Sequence, residues 1–151
     1  MTSSPSPSPT GAQAAAVVAL QDALLTEHAA VHGYGFAAAK LTGERHDLYL
    51  GHMDEHRAGR DALRAELVDR EAVPAAGEQA YTLPEDTGEE SLASFAVGLE
   101  EATAQAYLEL AAVSDPALRD LAGRALRAAT VRALDLGAPL SAFPGFPGGE
   151  L

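Results

Sequence analysis

Apolar residues recur along most of the chain at spacings of three and four, the period of a helix with one buried face. The first such block runs from about Ala12 to Leu41, with Val17, Leu20, Leu24, Val31, Tyr34, Ala38 and Leu41 on one stripe. Thr42-Gly43 closes it, since glycine accepts the left-handed conformation that ends helices. The second block runs from about Glu44 to Glu71, with Leu48, His52, His56, Gly59, Leu63 and Leu67 along a face. The third runs from about Glu89 to Val113, through Leu92, Phe95, Ala96, Leu99, Thr103, Ala106 and Leu110. Ser114-Asp115-Pro116 then stops one helix and starts another, with Asp115 able to cap and Pro116 suited to the first helical position. The fourth block carries Leu118, Leu121, Ala125, Ala128, Ala129, Arg132 and Leu136 before Gly137 and Pro139. No stretch shows the Val, Ile, Thr and aromatic enrichment of a strand. The expected class is all-α.

Connection lengths restrict how four helices assemble. The first and second are joined by a tight turn, as are the third and fourth, so each pair forms an antiparallel hairpin. Between the hairpins lies AVPAAGEQAYTLPEDTG, about 17 residues with two prolines. At roughly 3.3 Å per residue it reaches about 56 Å. A helix of about 27 residues is only about 40 Å long. The connection can therefore travel the whole length of a bundle, which a simple up-down-up-down arrangement does not need. Two helical hairpins joined by one long crossover make a ferritin-like four-helix bundle. The domain expected is residues 12–137, preceded by a disordered Ser/Pro tail over 1–11. A C-terminal segment, 138–151, repeats Phe-Pro-Gly and is expected to lie across the bundle, pinned by Phe143 and Phe146.

Polar residues interrupt the stripes. Glu27 falls at the centre of the first helix's apolar face, between Leu24 and Val31, where a carboxylate must be paired, protonated or bound to metal. His28 and His32 lie about a quarter-turn to one side. His52 and His56 sit one turn apart on the second face, with Glu55 at its edge. Glu100 flanks the third stripe near Tyr107. Arg132 is the ionisable residue inside the fourth.

Two readings of this set are open. In one, Glu27, His52, His56 and Glu100 ligate a metal in the bundle core, iron or manganese being the metals such a set takes. The di-iron pattern requires a Glu on two helices and Glu-x-x-His on each of the other two. Here Met53 stands where the second helix needs its bridging Glu, and the fourth helix has neither His nor Glu at the core. In the other reading the core is a paired polar network. Glu27 accepts from His52, His56 or Arg132, with Glu55, His32 and Tyr34 as further partners. A buried Arg is electrostatically hostile to a cation, and this favours the network. Tyr34, Tyr49 and Tyr107 read as core aromatics with hydroxyls at the edge.

Charge and composition narrow the function classes. The formal net charge of −12 opposes nucleic acid and anionic lipid as partners. The absence of cysteine excludes disulfides, thiolate metal sites and a thiol nucleophile. The N-terminus has no basic region and apolar core of a secretory signal. The apolar segment Ala12–Leu25 reads as too short and too polar for a membrane span, so a cytoplasmic location is expected.

The segments LLTEHAAVHGYGFAAAKL, HDLYLGHMDEHRAGRDAL, YTLPEDTGEESLASFAVGLEEATAQAYLEL and SAFPGFP, in that order, resemble the actinobacterial ferritin-like family known as domain of unknown function 4439. The resemblance covers nearly everything after the Ser/Pro tail. It implies a four-helix ferritin-like bundle and no established reaction. The positions matching the family's pattern are Glu27, His32, Gly33, Tyr34, His52, His56, Arg57 and Glu100. The incomplete ligand set argues against an enzyme and for a structural or interaction role, with a homodimer through a helical face or a protein partner. The rival functions are an atypical metal-binding oxidoreductase built on the core Glu and His residues, and a partner-binding module using the C-terminal tail.

Overall fold

The computed structural model describes residues 10–147. Most of the Ser/Pro segment, residues 1–9, and the last four residues, 148–151, lie outside the described residues. Four helices form, α1 (Gly11–Ala38), α2 (Gly43–Asp69), α3 (Glu89–Ala111) and α4 (Pro116–Asp135). No strand is present among the described residues.

The helix ends follow local chemistry. Thr10 and Gln13 form a reciprocal capping box, so α1 begins at Gly11, inside the segment expected to be tail. At the other end of α1, the Ala38 carbonyl oxygen accepts the Leu41 backbone N–H at 3.1 Å and lies 2.8 Å from His46 Nδ1, so the side chain adds to the backbone closure of the last turn. Asp115 caps α4 by accepting from the Ala117 backbone N–H at 2.9 Å, with Pro116 in the first turn. The same Asp115 binds Arg70 at 3.1 Å, tying the end of α2 to the turn between α3 and α4.

At 28 residues, α1 is long and apolar enough, by length and composition, to cross a membrane, contrary to the expectation from its first half. Its placement here is that of a core helix. Leu20, Leu24, Tyr34 and Ala37 are fully buried against its neighbours, and Glu27 is buried midway along it.

Ion pairs report the directions of the helices. Arg45 near the start of α2 meets Glu89 at the start of α3, at 3.1 Å. Arg70, just past the end of α2, reaches Asp115, just past the end of α3. Therefore α2 and α3 run parallel, and the chain between them must return along the full bundle.

The crossover does so along α1. The Gln21 side chain donates to the Val73 carbonyl at 2.7 Å and accepts from the Ala75 N–H at 2.8 Å. One face further along, His28 Nε2 lies 3.0 Å from the Ala75 carbonyl oxygen. His32, one turn beyond, packs its ring 4.8 Å from that of Tyr81. His32 is exposed and belongs to no core network, which corrects the expectation of a core polar partner. The off-centre position of His28 and His32 is explained by the crossover they hold.

The C-terminal segment lies over α3. Gly145 has φ +90°, and a Cβ there would sit 2.9 Å from the Ala104 carbonyl oxygen. This glycine makes the close approach. Phe143 and Phe146, expected to pin the segment, stay about 40% and 39% exposed and pack edge-to-face on each other at 6.2 Å.

The core is two apolar clusters. One contains Leu20, Leu24, Leu63, Leu67, Leu110 and Leu118 with Tyr107. The other contains Tyr34, Ala37, Tyr49, Leu92 and Ala96. Glu27, His52, His56, Glu100 and Thr103 fall between them along their helices.

After α2 the chain turns at Glu71, whose φ of +58° is the left-handed conformation disfavoured for residues with a Cβ. The Ala72 N–H reaches back to the Leu67 carbonyl at 2.9 Å, completing a helix-ending motif that favours glycine at this position. Glu71→Gly is expected to raise stability by about 0.5–1 kcal/mol. Urea denaturation at constant m-value checks this, and a loss of stability would contradict the assignment.

Candidate functional site

Each hairpin brings a glutamate and a cation to the layer between the two clusters, and a tyrosine from a cluster whose hydroxyl reaches into it. On α1 these are Glu27 and Tyr34, with His56 on α2; on α3 they are Glu100 and Tyr107, with Arg132 on α4. In both α1 and α3 the tyrosine follows the glutamate at the same Glu-x6-Tyr spacing, two helical turns on. The hydroxyls cross between hairpins. Tyr34 donates to Glu100 Oε1 at 2.6 Å, and Tyr107 donates to Glu27 Oε1 at 2.5 Å.

His56 links the two carboxylates. Its Nδ1 lies 2.6 Å from Glu27 Oε2 and its Nε2 lies 2.8 Å from Glu100 Oε1. A neutral imidazole has one N–H, and only the imidazolium can donate on both sides. Burial pushes the His56 pKa down, but the hydrogen bonds to Glu100 and Glu27 outweigh burial, and the pKa is raised. Glu100 behaves in the complementary way. Burial alone would raise its pKa, while the bonds from His56 and Arg132 bring it below the usual carboxylate value. Arg132 Nε donates to Glu100 Oε1 at 2.9 Å, and its second arm reaches Glu55 Oε2 at 3.0 Å. Glu100 is therefore fully central, not a flank of its stripe, at 1% exposure. Burial first, then the Glu100 charge, raises the Tyr34 pKa; burial and the Glu27 charge do the same for Tyr107. Both tyrosines stay protonated donors.

The space for this network is made by absent side chains. A Cβ on Gly59 would lie 2.5 Å from Glu27 Oε1 and 3.3 Å from the Tyr107 hydroxyl. A Cβ on Gly33 would lie 2.6 Å from Leu99, so Gly33 sets how closely α1 approaches α3.

Of the four residues read as metal ligands, Glu27, His56 and Glu100 come together and His52 does not join them. His52 is buried beside the Tyr34 ring at 5.4 Å, with Nε2 3.9 Å from Asp135 and Nδ1 without a partner. Burial lowers its pKa. Among the partners read from sequence, Tyr34 and Arg132 join the network, and Glu55 meets it at the exposed edge. Glu27 accepts from His56 and Tyr107, not from Arg132 or His52. Tyr107 was read as a core aromatic with its hydroxyl at the edge. Its hydroxyl is instead buried at the centre, and so is that of Tyr34, and the repeated Glu-x6-Tyr spacing is the signal that marks both. The Tyr49 hydroxyl is buried with no partner.

A ferritin-like bundle raises the question of a metal pair. Among the described residues no three His, Asp or Glu side chains are arranged to hold a metal ion. The donor chemistry gives the reason. Both nitrogens of His56 already face carboxylates, and a guanidinium lies on Glu100 Oε1. The Glu-x-x-His positions of the second and fourth helices are Met53-x-x-His56 and Ala129-x-x-Arg132. The residues present do not fit a di-metal centre.

The chain belongs to the family described as domain of unknown function (DUF4439), whose model matches residues 19–148. Its fold is similar to that of a conserved hypothetical protein, rv2844, from Mycobacterium tuberculosis, with 28% identity and a TM-score of 0.77 over 85% of this chain and 97% of that one. It is also similar to the dodecameric thioferritin of Bacteroides fragilis, that organism's bacterioferritin-related protein. There the TM-score is 0.73 at 20% identity, over 82% of this chain and 83% of that one. No curated protein matches the chain. The all-α, four-helix ferritin-like architecture is thus shared with solved structures.

A raised His56 pKa has a sign in stability. The stabilisation is fully present below the unfolded value of 6.5 and is lost as pH rises through the folded value. Glu100 acts on the other side, stabilising above its ordinary 4.5 and losing that contribution as pH falls through its lowered value. His56→Gln is expected to cost about 3 kcal/mol at pH 6, the scale for breaking a buried ion pair. The difference from wild type should shrink as pH rises from 6.5 towards 9. Urea unfolding of both proteins across that range measures it; a pH-independent difference would mean that His56 is not held as imidazolium.

Proposed function

We propose that this protein is a ferritin-like bundle in which an internally neutral ion-pair network stands in place of a metal pair, and that it serves as a structural or interaction protein. The observation that carries the reading is the Arg132 guanidinium on Glu100 Oε1 at 2.9 Å, with His56 between Glu100 and Glu27. The two buried carboxylates meet one imidazolium and one guanidinium, whose other arm holds Glu55 at the exposed edge, and the buried charges cancel without a metal. A divalent cation entering this layer would face a fixed positive charge and would have to displace His56 from at least one carboxylate.

Metal titration tests the proposal. Wild-type protein purified without chelator is expected to bind iron(II) and manganese(II) substoichiometrically by elemental analysis and calorimetry. The variant Met53→Glu/Ala129→Glu/Arg132→His, which completes the two Glu-x-x-His sets, is expected to gain about two metal ions per chain. Stoichiometric metal in the wild type that disappears in Glu27→Ala would overturn the reading.

The interaction role is assigned to self-association. Val18 and Val73 are 60% and 87% exposed, and Leu25 is 37% exposed. On α1, Gln21 lies between Val18 and Leu25, and its side chain holds the backbone at Val73 and Ala75, so these apolar groups share one side of the bundle. The similar Bacteroides fragilis protein is dodecameric. Light scattering after size exclusion is expected to find a dimer or larger assembly. Val18→Glu/Val73→Glu should yield monomers with unchanged helicity. A wild type that is monomeric at high micromolar concentration would count against this assignment alone.

A further inference from the structure

A groove of about 230 Å³ opens between α2 and α4. Its size falls below the roughly 300–1,000 Å³ of drug-sized ligand sites, so it suits a ligand of a few heavy atoms. Its polar lining is His52 and Glu55 from α2 and Arg124, Arg127, Arg132 and Asp135 from α4. Ala128 and Val131 supply the apolar part of the wall.

Two of these side chains form the floor, and each holds a donor that the protein leaves unused. Arg132 is 9% exposed along its side chain. Its Nε and Nη1 are taken by Glu100 and Glu55, while Nη2 has no hydrogen-bond partner among the described residues and is not sealed in the core. His52 is 7% exposed along its side chain. Its Nδ1 is sealed in the core without a partner, so a proton there would be stranded. Burial keeps the ring neutral. The proton therefore sits on Nε2, the ring nitrogen that keeps accessible surface. Asp135 Oδ2, 3.9 Å away, is too distant to accept it. On the rim, Arg127 has no partner among the described residues. Asp135 lies on the last turn of α4, beside the negative end of that helix, and no arginine or lysine pairs with it among the described residues.

We propose that this groove binds a free α-amino acid with a small side chain, its carboxylate accepting from Arg132 Nη2 and His52 Nε2 and its ammonium facing Asp135. Arg127 adds a second guanidinium to the carboxylate, and the half-exposed Val131 borders the side chain. The mixed charge of the lining selects a zwitterion. A simple anion would be repelled by Glu55 and Asp135 and by the net charge of −12. A simple cation would meet three guanidinium groups. A ligand carrying both charges finds a partner for each and adds no net charge. The buried network uses Arg132 Nε and Nη1, so a ligand on Nη2 leaves it intact. The site needs no metal, so its failure and that of the network reading are read by different measurements.

The test titrates L-alanine, acetate and methylammonium separately into the full chain and follows the backbone amides by heteronuclear NMR. Alanine is expected to give saturable shifts at His52, Glu55, Ala128, Val131 and Asp135. Acetate and methylammonium, which carry one charge each, should bind at least about tenfold more weakly. Arg127→Gln and Asp135→Asn, both at exposed positions, should each weaken alanine binding while leaving helicity unchanged. In Asp135→Asn the preference for alanine over acetate should disappear. Ala128→Phe, which fills the groove from an exposed position, should abolish alanine binding. Absence of saturable binding by alanine, acetate binding as tightly as alanine to the wild type, or alanine binding that survives Ala128→Phe would each overturn the proposal.

Discussion

A carboxylate taken from water into a protein interior loses several kcal/mol of hydration, and this bundle places two, Glu27 and Glu100, at its centre. Everything around them answers that cost. His56 contacts both, Arg132 contacts one, and a tyrosine from the opposite hairpin donates to each. The network uses all four helices, so the two hairpins are joined at their midpoint by charge as well as by apolar packing. Removing one cation would leave a buried anion without balance, which is why the arrangement is hard to change one residue at a time.

The same arrangement explains the division of the core. Apolar side chains cannot share a layer with paired charges without leaving some polar atoms unmet. The apolar side chains therefore gather in two clusters, one built on Leu20, Leu24, Leu63, Leu67, Leu110 and Leu118 and the other on Tyr34, Tyr49, Leu41 and Leu92, with buried alanines in both. The small residues Gly33 and Gly59 are part of this economy of space. One sets the approach of α1 to α3 and the other leaves room for the Glu27 carboxylate. The exterior of the bundle is organised by the crossover, which α1 holds through Gln21, His28 and His32.

Family membership and shared fold place the chain among ferritin-like bundles, while its donor set departs from the metal pattern at Met53, Ala129 and Arg132. These departures are connected. With no carboxylate at Met53 or Ala129 the layer holds two buried glutamates, and the arginine together with a charged histidine suffices to balance them.

Helix number, hairpin pairing and the crossover were legible because they rest on periodicity and chain length, which are local or additive properties of the sequence. The central place of Glu27 was legible for the same reason, since an ionisable residue in the middle of an apolar stripe must face the core. Its partners were legible only as a set, His52, His56 or Arg132, of which the structure pairs His56 and adds Tyr107. A wheel assigns each residue to a face of its own helix but carries no information on the register between helices. That register sends His56 to both glutamates, leaves His52 beside a ring, and carries Tyr107 to Glu27 from the other hairpin. The off-centre place of His28 and His32 was legible but what they face was not, because their partner is a returning loop with no periodicity of its own. Sequence determined that a charge would be buried here; only the tertiary structure decided what neutralises it, because neutralisation depends on distances of a few ångströms between helices that are far apart along the chain.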